Sequence, residues 1–398
     1  MKSSSQPTPG AIFSLVRTGV AASRADLSRV TGLAASTITT RVEELIAAGY
    51  LAESGEGASQ GGRRPRALVV PQEGSVVAGV DLGARHASVG LYSLSGELLH
   101  SAESELLIAQ DPEIVLAEVH RRVLELMSAE GHDAGDLAAV GLSLPGPVDA
   151  RTREVISPSR MPGWSGVDAG ALMERISGVA AGVENDANAM TLGEHVVLGR
   201  PAEHMVLVKA GSSIGCGVLA DGRLHRGSRG MAGDVSHAAV VDAPNVLCSC
   251  GRLGCLDAVA GGAAIVSALR AMGLEVGGTA DVIEMARNAH PPTMRLLREA
   301  GARTGSVLAT IVNFFNPDRL VIAGSLSGAE AFVAGVRSTI YDLCPPMLTD
   351  GLRISVSEAA ARGASIGAAA AVLDHMLDAE AVDAALRAGR PLRGTRLI

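Results

Sequence analysis

The chain has 398 residues, enough for two or three domains at about 100–200 residues each. At 47% hydrophobic and 19% charged it is globular rather than disordered, and with aromatics at only 2% its core must be built from Ala, Val, Leu and Ile. The net charge of −8 is unevenly placed: residues 1–75 hold eight basic against six acidic side chains, so a mildly basic head precedes an acidic body, a weak pointer to nucleic acid.

The first ten residues are polar, without the apolar run of a signal peptide. No apolar stretch is long enough to span a membrane. The five cysteines form no disulfide framework, and three of them cluster, which suits a reducing compartment. A cytoplasmic protein with no membrane partner is expected.

Ile12, Leu15 and Val16 fall at helical spacing, ended by Gly19. Ser23 is placed to cap a second helix over 24–30, closed by Thr31-Gly32. After a short break, 36–46 carries an apolar stripe of Ile38, Val42, Leu45 and Ile46, and Ser36, Thr37, Thr39, Thr40 and Arg41 lie largely off it. Helix, tight turn, helix is the helix-turn-helix layout, in which small polar side chains near the start of the second helix reach base edges and phosphates. Strands near 49–53 and 67–70 flank a Gly/Ser-rich tip at 55–62, with Arg63, Arg64 and Arg66 at its base. This reads as a wing whose arginines meet the phosphates or minor groove of double-stranded DNA. A small helical dimerisation module with a solvated arginine run would show the same pattern.

A linker at 71–74 leads to strand signals over 76–80, 87–94 and 97–101, with Ser95-Gly96 as a hairpin turn. A helix follows over 111–129 with Pro112 in its first turn. An apolar strand over 138–144 ends in Pro145-Gly146-Pro147, and another over 179–183 ends in Glu184-Asn185-Asp186. Further strands are expected over 205–209, 319–323 and 354–356, and further helices over 258–272 and about 295–315. Strands alternating with helices give an α/β architecture in two lobes. From residue 379 a helix-like stretch and a Pro/Gly/Arg tail carry no assignable function.

Cys248, Cys250 and Cys255 fall within eight residues, and His237 lies upstream of them. Three thiolates and an imidazole can surround one Zn²⁺ tetrahedrally, and Gly251 and Gly254 permit tight turns between ligands. Redox-inert loop cysteines are the alternative.

The body resembles the ROK family of sugar kinases and sugar-responsive repressors on the actin-like ATPase fold. The residues that carry the resemblance are Asp81-Leu82-Gly83, Leu144-Pro145-Gly146-Pro147-Val148-Asp149, Glu184-Asn185-Asp186-Ala187-Asn188, the run Gly211 to Gly217, the His237/Cys248/Cys250/Cys255 set, and Asn316-Pro317-Asp318 with the strand ending at Gly324. They run in family order from about residue 77 to 370. With the winged helix-turn-helix in front, the whole chain resembles a ROK transcriptional regulator, with a DNA-binding domain over 1–72 and a sugar-binding body over 73–398.

The resemblance implies roles residue by residue. Asp186 matches the base that takes a proton from a sugar hydroxyl in the kinases; it stands equally as a cap for the helix beginning near Ala187. Asn185, Asp234, His237 and Asp257 join it as sugar ligands. Asp234 and Asp257 stand where the family usually has Glu, so they reach less far. Asp81, Gly83, Gly211, Ser212, Gly215 and Gly324 match the nucleotide side. There the kinases have Asp-x-Gly-Gly-Thr, whereas Gly83 is followed by Ala84 and Arg85, which restricts the approach of a phosphate. The zinc, one per chain, is structural because four protein ligands leave no open position. The expected protein is a homodimeric or homotetrameric repressor that reads an operator and responds to a sugar or sugar phosphate held between the lobes. The rival expectation is an active sugar kinase with an added regulatory head.

Overall fold

Capping residues and apolar spacing coincide at the start of the chain. In the computed structural model, which describes residues 7–56, 66–71, 74–156, 161–200, 202–241 and 245–389, the Thr8 hydroxyl accepts from the Ala11 N–H and opens α1 (Pro9–Arg17). Ser23 caps α2 (Arg24–Thr31) by accepting from the Asp26 N–H, and Gly32 closes it at φ +70°. α3 (Ala35–Ala47) buries Ile38, Val42 and Leu45, and Phe13 packs edge-on against Tyr50 at 5.6 Å. β1 (Ala52–Glu56) and β2 (Arg66–Val69) pair antiparallel. β1 starts later than the sequence pattern suggests. The N–H groups of Gly49 and Tyr50 reach back to the Ile46 and Leu45 carbonyls and finish α3 instead.

The contacts divide the chain into two units. One comprises Met1–Ser143, Val167–Val183 and Ala368–Ile398; the other comprises Leu144–Gly166 and Glu184–Gly367. In the first unit, β3 (Val76–Leu82), β4 (His86–Ser93), β5 (Leu98–Glu105), α4 (Pro112–Ala129), β6 (Leu137–Leu144), α5 (Ala169–Ser177) and β7 (Ala180–Asn185) follow one another. The sheet order is β5-β4-β3-β6-β7, with β3 antiparallel to β4 and parallel to β6. β3 and β6 are buried almost throughout, as expected for central strands covered on both faces.

The second unit repeats that plan. It contains α6 (Asp186–Val197), β8 (Met205–Ala210), β9 (Ile214–Ala220), β10 (Arg223–Leu224), α7 (Leu256–Ala260), α8 (Gly262–Ala271), α9 (Thr279–Arg287), α10 (Pro291–Phe315), β11 (Arg319–Ala323), α11 (Glu330–Leu343), α12 (Pro346–Thr349) and β12 (Arg353–Val356). Its sheet runs β10-β9-β8-β11-β12, again with the first strand of the set antiparallel to the second and parallel to the fourth. Two mixed sheets of the same strand order are the duplicated plan of the actin-like ATPase fold. The core of this unit gathers Val206, Val208, Leu269, Leu308, Ile322, Phe332 and Val336.

Two local departures from the sequence pattern have physical causes. The single helix expected over 258–272 is two, broken at Gly261. There the backbone turns extended, and the Gly262 and Ala263 N–H groups donate to the Gly211 and Ser212 carbonyls. The glycines of the 211–217 run do not all lie in a loop: Gly215 and Gly217 belong to β9. A Cβ on Gly217 would stand 2.1 Å from Thr191 Oγ1, so its absence lets α6 lie against the strand.

α13 (Gly363–Met376) and α14 (Ala379–Arg387) end the described chain. α14 docks on α1: the Gly10 N–H donates to the buried Asp383 carboxylate at 2.7 Å, and Arg17 pairs with Asp374.

Candidate ligand cavity and metal centre

A cavity of about 230 Å³ opens in the second unit, lined by residues of that unit alone. Its floor is the start of α6. Asn185, not Asp186, is the N-cap: its Oδ1 accepts from the N–H groups of Ala187 and Asn188, and its Nδ2 donates to the Gly146 carbonyl at 3.1 Å. That bond ties the cap to the Pro145-Gly146-Pro147 segment on the opposite wall. Asp186 is the first helical residue, where a carboxylate is favoured by the helix dipole. One of its oxygens accepts from the Ala187 N–H at 2.7 Å and the other pairs with Lys209 Nζ.

The partners of these motif residues escaped the sequence reading. Lys209 is the penultimate residue of the apolar strand β8, just before the Gly-rich run, and a lone charge in that position was the available signal. Glu184 accepts from Asn188 Nδ2 at 2.9 Å and from Arg226 Nε at 2.8 Å. Asn188 is 2% exposed, and its Oδ1 has no hydrogen-bond partner among the described residues. Asp149, from the Pro-Gly-Pro-Val-Asp motif, is buried and pairs with Arg229 at 2.9 Å. The Arg151 N–H, then Arg229, holds its carboxyl below the usual range.

The predicted sugar ligands Asp234, His237 and Asp257 all line the same cavity as Asn185 and Asp186. Asp234 Oδ1 accepts from the Ser236 N–H at 3.1 Å. Asp257 Oδ1 accepts from the Ile214 N–H at 2.8 Å, which fixes the start of β9 to the start of α7. Cys216 also lines the wall, and burial pushes its thiol up to about 12.

His237, Cys248, Cys250 and Cys255 converge beside the cavity. Their ligand atoms all lie within 4.8 Å of one another, with Cys248 Sγ 3.5 Å from His237 Nδ1 and Cys250 Sγ 3.6 Å from Cys255 Sγ. Ligand atoms at about 2.0–2.3 Å from a tetrahedral ion stand at comparable separations, so the four residues fit a metal. Gly251 at φ +84° makes the turn between them, and its N–H donates to the Cys248 carbonyl. The Arg252 backbone N–H draws the exposed Cys250 thiol down to about 6, whereas burial pushes Cys255 up to about 12.

The nucleotide-side residues fall in both units: Asp81 and Gly83 in the first, Gly211, Ser212, Gly215 and Gly324 in the second. Asp81 accepts from the Ser143 hydroxyl at 2.6 Å. The His86 ring lies over Gly83, where a Cβ would meet it at 2.0 Å. The Gly211 and Ser212 carbonyls are bound to the first N–H groups of α8.

In the head, Ser36 and Thr40 of α3 are exposed, and Thr37, Thr39 and Arg41 are half-buried. Thr39 and Thr40 hydroxyls donate to the carbonyls one turn back, which leaves their oxygens as acceptors. Arg66 pairs with Glu53, as does Arg24 from α2. Arg63 and Arg64 lie outside the described residues.

The fold and the cavity define a two-sheet, actin-like protein with a winged helix-turn-helix in front. Residues 77–375 match the ROK family, and the chain belongs to it. The chain is similar to the xylose repressor of Bacillus spizizenii, 28% identical over 359 residues, covering 89% of this chain and 92% of that one. Among solved structures it is similar to a ROK family transcriptional regulator described as a homologue of the E. coli MLC protein, with a TM-score of 0.79, 24% identity, and coverage of 96% of this chain and 98% of that one. It is also similar to a ROK glucokinase from Streptomyces griseus solved with glucose and AMPPNP, with a TM-score of 0.65, 25% identity, and coverage of 75% of this chain and 99% of that one. Among the described residues no helix is long and apolar enough to cross a membrane.

Proposed function

We propose that this chain is a sugar-responsive DNA-binding transcriptional regulator of carbohydrate genes, acting as a repressor that its sugar releases. One observation carries the reading. The glucokinase match spans nearly all of that enzyme yet only 75% of this chain, whereas the match to the transcriptional-regulator structure spans 96% of it and the match to the xylose repressor 89%. The surplus accommodates the three helices and hairpin of the head. In this reading Ser36, Thr37, Thr39, Thr40 and Arg41 meet the major groove, and Arg63, Arg64 and Arg66 meet phosphates or the minor groove. A homodimer or homotetramer presents two heads to a two-fold operator.

The cavity is the effector site, with Asn185, Asp186, Asp234, His237 and Asp257 as sugar ligands. His237, Cys248, Cys250 and Cys255 hold one structural Zn²⁺, whose chemistry is to cross-link the loop. Kinase chemistry is the second reading, favoured by Asp186 at the position of the base. Against it, both Asp186 oxygens already accept hydrogen bonds, one from Lys209, and Gly83 is followed by Ala84 and Arg85.

The test is fluorescence anisotropy on duplexes from the chain's own upstream region, with and without a panel of sugars. Specific binding that weakens with one sugar is expected. Changing Arg63, Arg64 and Arg66 together to Ala should weaken binding and flatten its salt dependence. Robust ATP-dependent phosphorylation of a sugar, abolished by Asp186→Ala, overturns the reading in favour of the kinase.

A further inference from the structure

We infer that the arginine-rich segment following α14 is a second DNA-contacting arm, binding backbone phosphates beside the head. The inference rests on the reading of the head as a DNA-binding domain.

Charge is the first observation. After Asp383 the sequence carries Arg387, Arg390, Arg393 and Arg396 and no acidic residue as far as Ile398, in a chain whose net charge is −8. A run of one sign outside a packed element repels itself and serves as an interaction arm, a basic one toward nucleic acid. Gly389, Pro391 and Gly394 punctuate the run, a composition that opposes the amphipathic helix by which basic segments lie on membranes.

Position is the second. Residues 390–398 lie outside the described residues, but the point from which they leave is fixed. α14 ends on the exposed Arg387, and Gly389 at φ +61° turns the chain out of the helix. α14 itself is fastened to the head through the Gly10 N–H and the buried Asp383 carboxylate. α1 in turn packs on α3, the helix assigned to the major groove. Asp383 and Arg387 stand one helical turn apart, about 6 Å along the axis, so the run begins at the contact with the head.

Reach is the third. The nine residues from Arg387 to Arg396 span about 30 Å when extended. A domain of the head's size has a radius of gyration of about 11 Å. An arm rooted on α1 is therefore long enough to meet the phosphates of a duplex held on α3. Guanidinium groups suit that target, because they stay charged and pair with phosphate oxygens two at a time.

Fluorescence anisotropy of the full chain on a random-sequence duplex, across a salt series, tests this. Changing Arg390, Arg393 and Arg396 together to Gln should weaken binding at least tenfold at low salt and flatten the slope of log affinity against log salt by about 2–3. Changing the same three to Lys should keep the slope. Hydrogen exchange of α1 should be the same in both variants, since the changes lie beyond α14. A Gln variant with unchanged affinity and slope, beside an Arg63/Arg64/Arg66→Ala variant that loses both, overturns the inference and leaves the head reading intact. A Lys variant as weak as the Gln variant also overturns it. So does arginine-dependent sedimentation with phosphatidylserine vesicles while duplex binding is unchanged, which assigns the arm to a membrane surface. If the unaltered chain binds no duplex, the DNA-binding reading falls and the inference falls with it.

Discussion

Asp149 shows how a motif residue can serve the fold rather than the ligand. It is buried yet charged, held by the Arg151 N–H and by Arg229. Because these partners lower its folded-state pKa, its ionised form is favoured on folding. The stabilisation is therefore complete above the ordinary Asp value of about 3.9 and is lost as pH falls through the lower folded value. Asp149→Asn should lower stability at neutral pH and flatten the acid side of the stability curve. Urea melts between about pH 2 and 7 read this directly; an acid limb as steep as that of the unaltered chain would assign the loss elsewhere. The sequence pointed to Asp149 only through a run of motif residues, and it was silent on Arg229. Ion-pair partners far apart in the chain leave no periodic signal. The same limit hid Lys209 as the partner of Asp186 and Arg226 as the partner of Glu184, although both carboxylates were legible from the motifs.

Among elements, α14 is the clearest case of a segment visible in sequence without its role. Its helical character was readable from 379 onward, but an apolar face does not name what it covers. The structure sets it against α1, where Gly10 leaves room: a Cβ there would stand 2.0 Å from the Ala379 carbonyl oxygen. The contact is backbone against backbone, so the neighbour cannot move aside as a flexible side chain would. Gly10→Ala should destabilise the head by about 1–3 kcal/mol, and Asp383→Ala, which leaves the buried Gly10 N–H unpaired, by a similar amount. Hydrogen exchange of α1 and α2 amides measures both. Protection that falls in α1 but not in β3 is the expected pattern; a uniform fall would mean that the contact supports the unit as a whole. The broken helix at Gly261 has the same lesson. Its turn is set by the carbonyls of Gly211 and Ser212, fifty residues away in sequence, and no local propensity predicts it.

At the scale of the molecule, the ordered motifs made the family legible, while the duplication of the sheet did not. The two sheets share strand order without sharing sequence, and β9 reads as a Gly-rich turn because Gly215 and Gly217 are kept small for α6. The convergence of His237 with the three clustered cysteines was the most legible feature, and it yields the most discriminating experiment. The segment from His237 to Cys255 has almost no core of its own: Val241 is 90% exposed, Leu247 69% and Leu253 55%. Its regular backbone pairing amounts to isolated bridges such as Ala239 with Cys255 and Leu247 with Leu253. On the proposed reading, a metal held by these four converging side chains would cross-link a segment so poor in burial. Two residues after the last cysteine, Asp257 fastens the start of β9, so loss of the cross-link reaches the cavity wall. The head buries Ile12, Phe13, Leu27, Ile38, Val42 and Leu45, and the four cluster residues lie elsewhere in the chain. Metal analysis of protein purified without chelator should give one zinc per chain. Stripping the metal, or Cys250→Ser, should open the 237–255 segment to limited proteolysis and abolish sugar binding. Binding to nonspecific duplex through the head should survive. If the stripped protein keeps both its cleavage pattern and its sugar affinity, the cluster is a set of inert cysteines and the cavity stands without it.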